Sequence, residues 1–269
     1  MISFGIIGSG YVGGATALFE CERVKCFKYD IDPKKCSPAN CTLNDIINCD
    51  LIFICVPTPQ RENGECNLSI VESVVVQLRN IDPNCSKIVI RSTVPPFTSK
   101  RLGTHSMPEF LTEKNWRKDF KERNSWVIGV NEDQNPNYMK AKITELVEVA
   151  QEARVVDNKD MIFCLSEEAE TMKYVRNCFL ATKVAFFNEI SSFCKEKEIN
   201  YEKVRTLTGL DPRIGLSHTQ VPGPDGKPGF GGTCFPKDLS ALIYEFEHYG
   251  IKTEVLKSIE KRNSIDREK

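Results

Sequence analysis

The sequence is poor in histidine and has no spaced set of metal ligands. Only three histidines occur in 269 residues. His105, His218 and His248 lie far apart and no Cys-x-x-Cys pair is present, so no metal site is expected. Charge of one sign is also lacking: 36 Lys and Arg stand against 37 Asp and Glu, a formal net charge of -1, with no basic stripe interleaved with aromatics. That speaks against an electrostatic grip on nucleic acid or on an anionic membrane. No apolar run approaches the roughly 20 residues of a membrane span. The opening MISFGIIGSG has neither the basic start nor the cleavage site of a signal peptide, and a cytoplasmic protein is expected. Cysteine is plentiful at 12, but the residues are scattered through apparent strands and helices of a fairly long chain. They do not frame a small loop-rich scaffold, which predicts reduced thiols.

The composition, 41% hydrophobic and 27% charged, is that of a globular chain long enough for two modest domains. Short apolar runs at 2–7, 26–29, 51–56 and 88–90 alternate with polar helical stretches, the grammar of βαβ units. Further strands are expected at 126–130 and 153–156, with a helix over 136–152 between them. From 166 to about 197 the pattern is helical throughout: Met172, Val175, Phe179, Phe186, Ile190 and Phe193 recur at threes and fours. That seam either packs within its own monomer or joins a dimer. A glycine- and proline-rich loop over 209–232 is too long to be only a connector. Helical spacing returns at Leu239, Leu242, Ile243 and Phe246, and a charged helix closes the chain. The expected architecture is α/β: a Rossmann-like doubly wound parallel sheet over 1–165, then a long central helix and a small all-helical domain over 166–269.

Two segments carry chemistry. Gly8-Ser9-Gly10-Tyr11-Val12-Gly13 follows the first strand and opens a helix. There Gly8 permits a tight turn, Gly10 lets backbone approach a pyrophosphate, and Gly13 lets helix and strand pack closely. Asp30 ends the second strand about 20 residues on, where a carboxylate accepts ribose hydroxyls and favours NAD over NADP. Lys35, nearby, either touches the cofactor or is solvated. The second segment is Gly229-Phe-Gly-Gly-Thr-Cys234-Phe-Pro-Lys237-Asp238, with Pro236 in the first turn of a helix. A cysteine at a helix N-terminus beside a lysine is placed to become a thiolate nucleophile. The other eleven read as small buried hydrophobes. Lys173 and Asn177, one helical turn apart, either present a cation and an amide to an oxyanion or lie on a solvated face.

GSGYVG, CVPTP at 55–59, STVPP at 92–96, PEFLTE at 108–113, KYVRNCFLATK at 173–183 and GFGGTCFPKD at 229–238 occur in this order. Together they resemble the UDP-glucose/GDP-mannose dehydrogenase family, over a stretch reaching about residue 265. The resemblance implies oxidation of a nucleotide sugar, a UDP-sugar favoured, with two NAD reduced in turn at one carbon. It implies that Cys234 traps the aldehyde as a thiohemiacetal and then carries a thioester. Lys173 and Asn177 would stabilise the oxyanion, Asp238 would stand beside the cysteine, and Thr93 and Glu109 would hold a water and assist proton transfer or hydrolysis.

By the same likeness, Gly8, Gly10, Tyr11, Val12, Gly13, Asp30, Lys35, Val56, Pro57, Thr58, Ser92, Thr93 and Lys237 are cofactor-binding positions. Glu109, Phe110, Leu111, Glu113, Lys173, Asn177, Arg213, Phe230, Gly231 and Gly232 are substrate-binding positions, Arg213 in some relatives acting across a dimer. A homodimer through the central helix is implied.

The chain departs from the family pattern in three respects. Ser106-Met107 replaces the Asn usual before Pro-Glu-Phe, the stretches 32–51 and 98–108 are abbreviated, and the C-terminal UDP-binding domain of relatives has no counterpart in the sequence. Two other readings stay open: a two-electron hydroxy-acid dehydrogenase of the 6-phosphogluconate dehydrogenase-like group that uses Lys173 and Asn177 with Cys234 idle, and a non-catalytic NAD-binding remnant.

Overall fold

The computed structural model describes residues 1–112 and 115–268. The chain divides into two compact units. The first comprises Met1–Pro59 and Cys66–Lys173; the second comprises Gln60–Glu65 and the chain from Tyr174 onward.

The described residues of the first unit form seven strands: β1 (Ile2–Ile7), β2 (Val24–Tyr29), β3 (Leu51–Ile54), β4 (Ile88–Ile90), β5 (His105–Ser106), β6 (Trp126–Val130) and β7 (Met161–Leu165). They form one sheet in the order β2-β1-β3-β4-β5-β6-β7. Every pairing is parallel except β5 with β6, whose antiparallel register sets Ser106 against Gly129. The sheet is thus mostly parallel, as expected, with one antiparallel junction. Its helices are α1 (Tyr11–Thr16), α2 (Leu43–Ile47), α3 (Ser69–Ile81), α4 (Thr98–Arg101), α5 (Trp116–Lys121), α6 (Pro136–Glu152) and the start of α7 (Ser166–Glu196).

Both faces of the sheet are apolar because both are covered, as a βαβ chain requires. On one face Ile2, Phe4, Ile6 and Phe53 pack with Trp126, Phe120 and the α6 residues Met139, Ile143 and Leu146. On the other, Ile7, Ile52, Ile54 and Ile88 pack against Ile46, Val75 and Leu78. The residues expected as a strand at 153–156 instead form a turn with Arg154 in the left-handed region at φ +61°. The strand in question is β7, eight residues later, which runs straight into α7.

The second unit is helical: the rest of α7, then α8 (Tyr201–Thr208), α9 (Phe235–His248) and α10 (Glu254–Arg267). Asn200 caps α8 by accepting from the Lys203 N–H. Among the described residues no helix is long and apolar enough to cross a membrane.

Candidate active site

In the first unit, β1 has β2 on one side and β3 on the other, so the chain reverses its direction across the sheet there. A crevice at the carboxyl ends of the strands on either side of such a point is where α/β sheets take ligands. The proposed cofactor positions of this unit all follow a parallel strand at that edge: the glycine turn after β1, Asp30 and Lys35 after β2, Val56, Pro57 and Thr58 after β3, and Ser92 and Thr93 after β4. Glu109, Phe110 and Leu111 follow β5.

Gly8 has φ +93°, and a Cβ there would sit 2.7 Å from the Cys55 carbonyl oxygen. One at Gly13 would overlap the Gly8 carbonyl, whereas one at Gly10 would meet nothing within 4 Å. Two glycines thus serve close packing, and the third leaves main chain open where a pyrophosphate could be held. Asp30 closes the turn: its carboxylate accepts from the Ser9 N–H at 2.7 Å and the Asp32 N–H at 2.9 Å. Desolvation pushes that carboxyl up, but these two bonds and the Lys35 charge outweigh it and hold it below the usual range. Lys35 contributes its carbonyl to the Ser9 hydroxyl at 3.3 Å. Thr58 donates to the Thr93 carbonyl at 2.8 Å and Ser92 to the Val56 carbonyl at 2.7 Å, which fastens the ends of β3 and β4 together. The Tyr11 ring is exposed and packs edge-on to Trp116 at 6.4 Å, while Val12 sits against the core. These residues fit a dinucleotide.

Glu109 is buried and its carboxylate is gripped by Arg91 and Arg123. It also accepts from the Phe110 N–H at 2.7 Å and the Leu111 N–H at 3.2 Å. Desolvation is again the strongest single influence and raises the pKa; Arg91, Arg123, the Phe110 N–H and Lys173 overcome it and keep the group ionised. Its two guanidinium partners and the main-chain N–H groups thus hold the carboxylate in its charged form. What Glu109 offers is its main-chain oxygen, which accepts from the Lys173 ammonium. Lys173 is buried at 8% exposure, its ammonium 5.2 Å from the Phe110 ring centroid. Glu113 lies outside the described residues. A polar depression of about 630 Å³ lined by Arg79, Ser86, Lys100, Gly103, Asn131 and Gln134 lies at the opposite edge of this sheet and holds none of these residues.

In the second unit Asn177, also buried, donates to Asp238 at 2.6 Å. The other oxygen of Asp238 lies 2.9 Å from the Lys237 ammonium. Lys237, expected at both the cofactor and the thiol, thus has its ammonium at Asp238. Cys234 stands at the N-cap of α9 with Pro236 in the first turn. Of the twelve cysteines it alone is exposed. Burial pushes the thiols of Cys55, Cys49 and Cys178 up to about 11, about 12 and about 12, so these are inert.

Arg213 is exposed and folded back on Asp211 through bonds of 2.6 to 3.2 Å. Phe230 is buried, and a Cβ on Gly231 would strike the Arg267 guanidinium, whereas one on Gly232 would meet nothing within 4 Å. Only Gly232 of this pair has its missing side chain facing open space. Sequence reasoning missed Arg91 and Arg123 as the cations on Glu109, and Asn188, Asn263 and Arg267 around the cysteine loop. The one local signal was Arg91 itself, a charge directly after the fully apolar β4 and inside the recognised STVPP surroundings.

Two models of the UDP-glucose/GDP-mannose dehydrogenase family match: its NAD binding domain over residues 39–148 and its central domain over 167–265. A UDP-glucose 6-dehydrogenase of Rickettsia typhi is 32% identical over 260 residues, covering 92% of this chain and 57% of the relative. The chain therefore spans a little over half the length of that curated relative. Among solved structures, a UDP-glucose dehydrogenase from Pyrobaculum islandicum superposes with a TM-score of 0.80 at 26% identity, covering 98% of this chain and 68% of that one. A GDP-mannose dehydrogenase from Pseudomonas aeruginosa shares the fold with a TM-score of 0.69 at 24% identity, covering 99% and 69%.

Proposed function

The chain belongs to the UDP-glucose/GDP-mannose dehydrogenase family, and from that membership we propose that it oxidises a nucleotide sugar, UDP-glucose before others, to its carboxylate with Cys234 as nucleophile. The observation that carries the reading is that the one exposed thiol of twelve is the cysteine of the GFGGTCFPKD loop, at the start of a helix. Residues 1–165 hold NAD and 166–269 supply the cysteine and the dimer contact. NAD, when bound, accepts a hydride, and two molecules are consumed in turn per sugar.

This chain's residues do the rest. The glycine turn cradles the pyrophosphate and Asp30 the ribose. Lys173, held by the Glu109 carbonyl, and Asn177, held by Asp238, stabilise the oxyanion as it forms. The Cys234 sulfur bonds to the aldehyde carbon, so that free aldehyde does not escape, and stays bonded through the thioester. Water, positioned by Thr93, breaks the C–S bond and releases carboxylate and thiol. Phe110, Leu111, Phe230, Gly231 and Gly232 shape the sugar site by backbone and ring, and Arg213 reaches the nucleotide once it leaves Asp211.

A homodimer through α7 is part of the proposal. Val175, Phe179, Phe186 and Phe193 are 55%, 65%, 56% and 56% exposed, and the three phenylalanines repeat every seven residues, the spacing of a helix-pairing seam.

The test is stoichiometry: purified protein with NAD and UDP-glucose, then GDP-mannose and UDP-N-acetylmannosamine. Two NADH per sugar, with Cys234→Ser stopping before carboxylate, is the expected result. One NADH per sugar and an indifferent Cys234→Ser would replace it with a two-electron dehydrogenase; NAD binding without turnover would leave a cofactor-binding protein.

A further inference from the structure

We propose that Asn263 and Arg267 of α10 are positioning residues for the cysteine loop, holding Phe230 so that Cys234 is presented in one place. The inference rests on the reading of Cys234 as nucleophile. Asn263 satisfies both main-chain groups of Phe230 at once: the Phe230 N–H donates to Asn263 Oδ1 at 2.7 Å, and the Phe230 carbonyl accepts from Asn263 Nδ2 at 3.0 Å. One side chain thus does for one loop residue what a neighbouring strand does in a sheet. Arg267 adds a bond from Nε to the same carbonyl at 3.0 Å and an ion pair from Nη1 to Asp225 at 2.7 Å. From α7, the buried Asn188 anchors the preceding residue. Its amide nitrogen donates to the Val184 carbonyl at 2.8 Å, which turns its oxygen to the Gly229 N–H at 2.9 Å.

The glycines agree with this arrangement. Gly229 has φ +72°, and a Cβ there would lie 2.6 Å from Asn263 Oδ1; one at Gly231 would strike Arg267. Two of the three glycines in GFGG are therefore small in order to receive α10, and Gly232 is the one left open. With Phe230 pinned and Cys234 at the N-cap of α9, three residues, 231–233, join the clamp to the sulfur. Misplacement by about 1 Å at a reacting centre can cost roughly a hundredfold in rate, so a clamp four residues from the nucleophile acts on chemistry more than on affinity.

The test compares the full chain with Asn263→Leu, which removes both bonds at similar volume, and Asn263→Asp, which keeps the acceptor. Expected for Asn263→Leu are amide exchange at 229–231 at least tenfold faster, a Cys234 iodoacetamide rate changed at least threefold, and kcat lowered at least tenfold with the KM for NAD within twofold. Asn263→Asp should recover part of each. Unchanged exchange and alkylation, or an Asp variant as impaired as Leu, would overturn the proposal, as would a loss in which KM for NAD moves together with kcat. If Asn263→Leu does not fold, Arg267→Met reads the same quantities with about threefold effects expected, and none observed would count against the clamp. Exchange and alkylation need no turnover. A wild type that makes no NADH would therefore defeat the dehydrogenase reading while these two measurements still decide the clamp.

Discussion

Glu109 and Glu170 are both buried in the first unit, at 5% and 1% exposure, yet burial leaves them in opposite states. Glu109 stands between two guanidinium groups and is ionised. Glu170, near the start of α7, accepts from the Ser99 N–H at 2.8 Å through one oxygen and has no partner for the other. Desolvation wins there, and the carboxyl is pushed up to about 7. Asp30 lies between the extremes: half-buried, held by main-chain N–H groups, and ionised. In this fold the partners, and not depth, decide which carboxylates carry charge, and the two charged ones are those assigned to the candidate site.

The largest effect that could break this contrast is Arg91→Met. Arg91 is 1% exposed; removing it leaves Glu109 with one cation fewer, and breaking a buried pair typically costs about 3–5 kcal/mol. Urea unfolding followed by tryptophan emission should show it, since Arg123, the remaining guanidinium partner, lies 4.7 Å over the Trp126 ring. A loss below about 1 kcal/mol would mean that Glu109 does not depend on its guanidinium partners. Next in size is Asp30→Ala, expected to weaken NAD binding by about 1.5–3 kcal/mol, the range of a lost charged hydrogen bond. Calorimetry that finds the affinity unchanged would remove Asp30 from the cofactor site.

Glu170→Gln probes the other side of the contrast. The folded carboxyl titrates near 7 against an ordinary 4.5. The stability linked to its proton is therefore fully present below about pH 4.5 and is lost as pH rises through about 7. Glutamine keeps an acceptor for the Ser99 N–H and carries no charge, so the variant should exceed wild type by about 1–3 kcal/mol at pH 8 and match it at pH 4. Equal stability at pH 8 would show that Glu170 is not desolvated in the native state.

What could be read from the sequence divides along the same physical line. The glycine turn, Asp30 and the strands of the first sheet half were legible because each is specified by neighbours within about 20 residues. The exposure of Cys234 was legible in its surroundings of glycine, proline and lysine. Two strands were not. β5 is two residues long, too short to carry a period. In β7, an edge strand, burial is incomplete and no turn residue separates it from α7, so the apolar residues at 153–156, which close a helix, competed with it. The partners of the site residues were hidden for a different reason. Arg91 with Glu109, Asn177 with Asp238 and Phe230 with Asn263 are 18, 61 and 33 positions apart, and no local pattern encodes such a distance.

The smallest expected effect concerns a group at the other edge of the sheet. His105 is fully buried at the start of β5. Its Nδ1 faces the Asn131 N–H at 3.1 Å and must accept; its Nε2 faces the carbonyls of Ser86 and Gln134, at 3.1 and 2.9 Å, and must donate. Those partners fix the neutral Nε2–H tautomer, and desolvation by burial holds the pKa below 6.5. The linked stability is present above about pH 6.5 and is lost as pH falls, opposite in sign to that of Glu170 and overlapping it in range. Each masks the other in wild type. Nitrogen-15 spectra of Glu170→Gln should therefore show His105 less protonated at pH 6 than a free imidazole, and its acid limb of stability should stand out uncovered. An imidazole half-protonated at pH 6.5 would mean that the Asn131 N–H does not face Nδ1, and the tautomer assignment would fall with it.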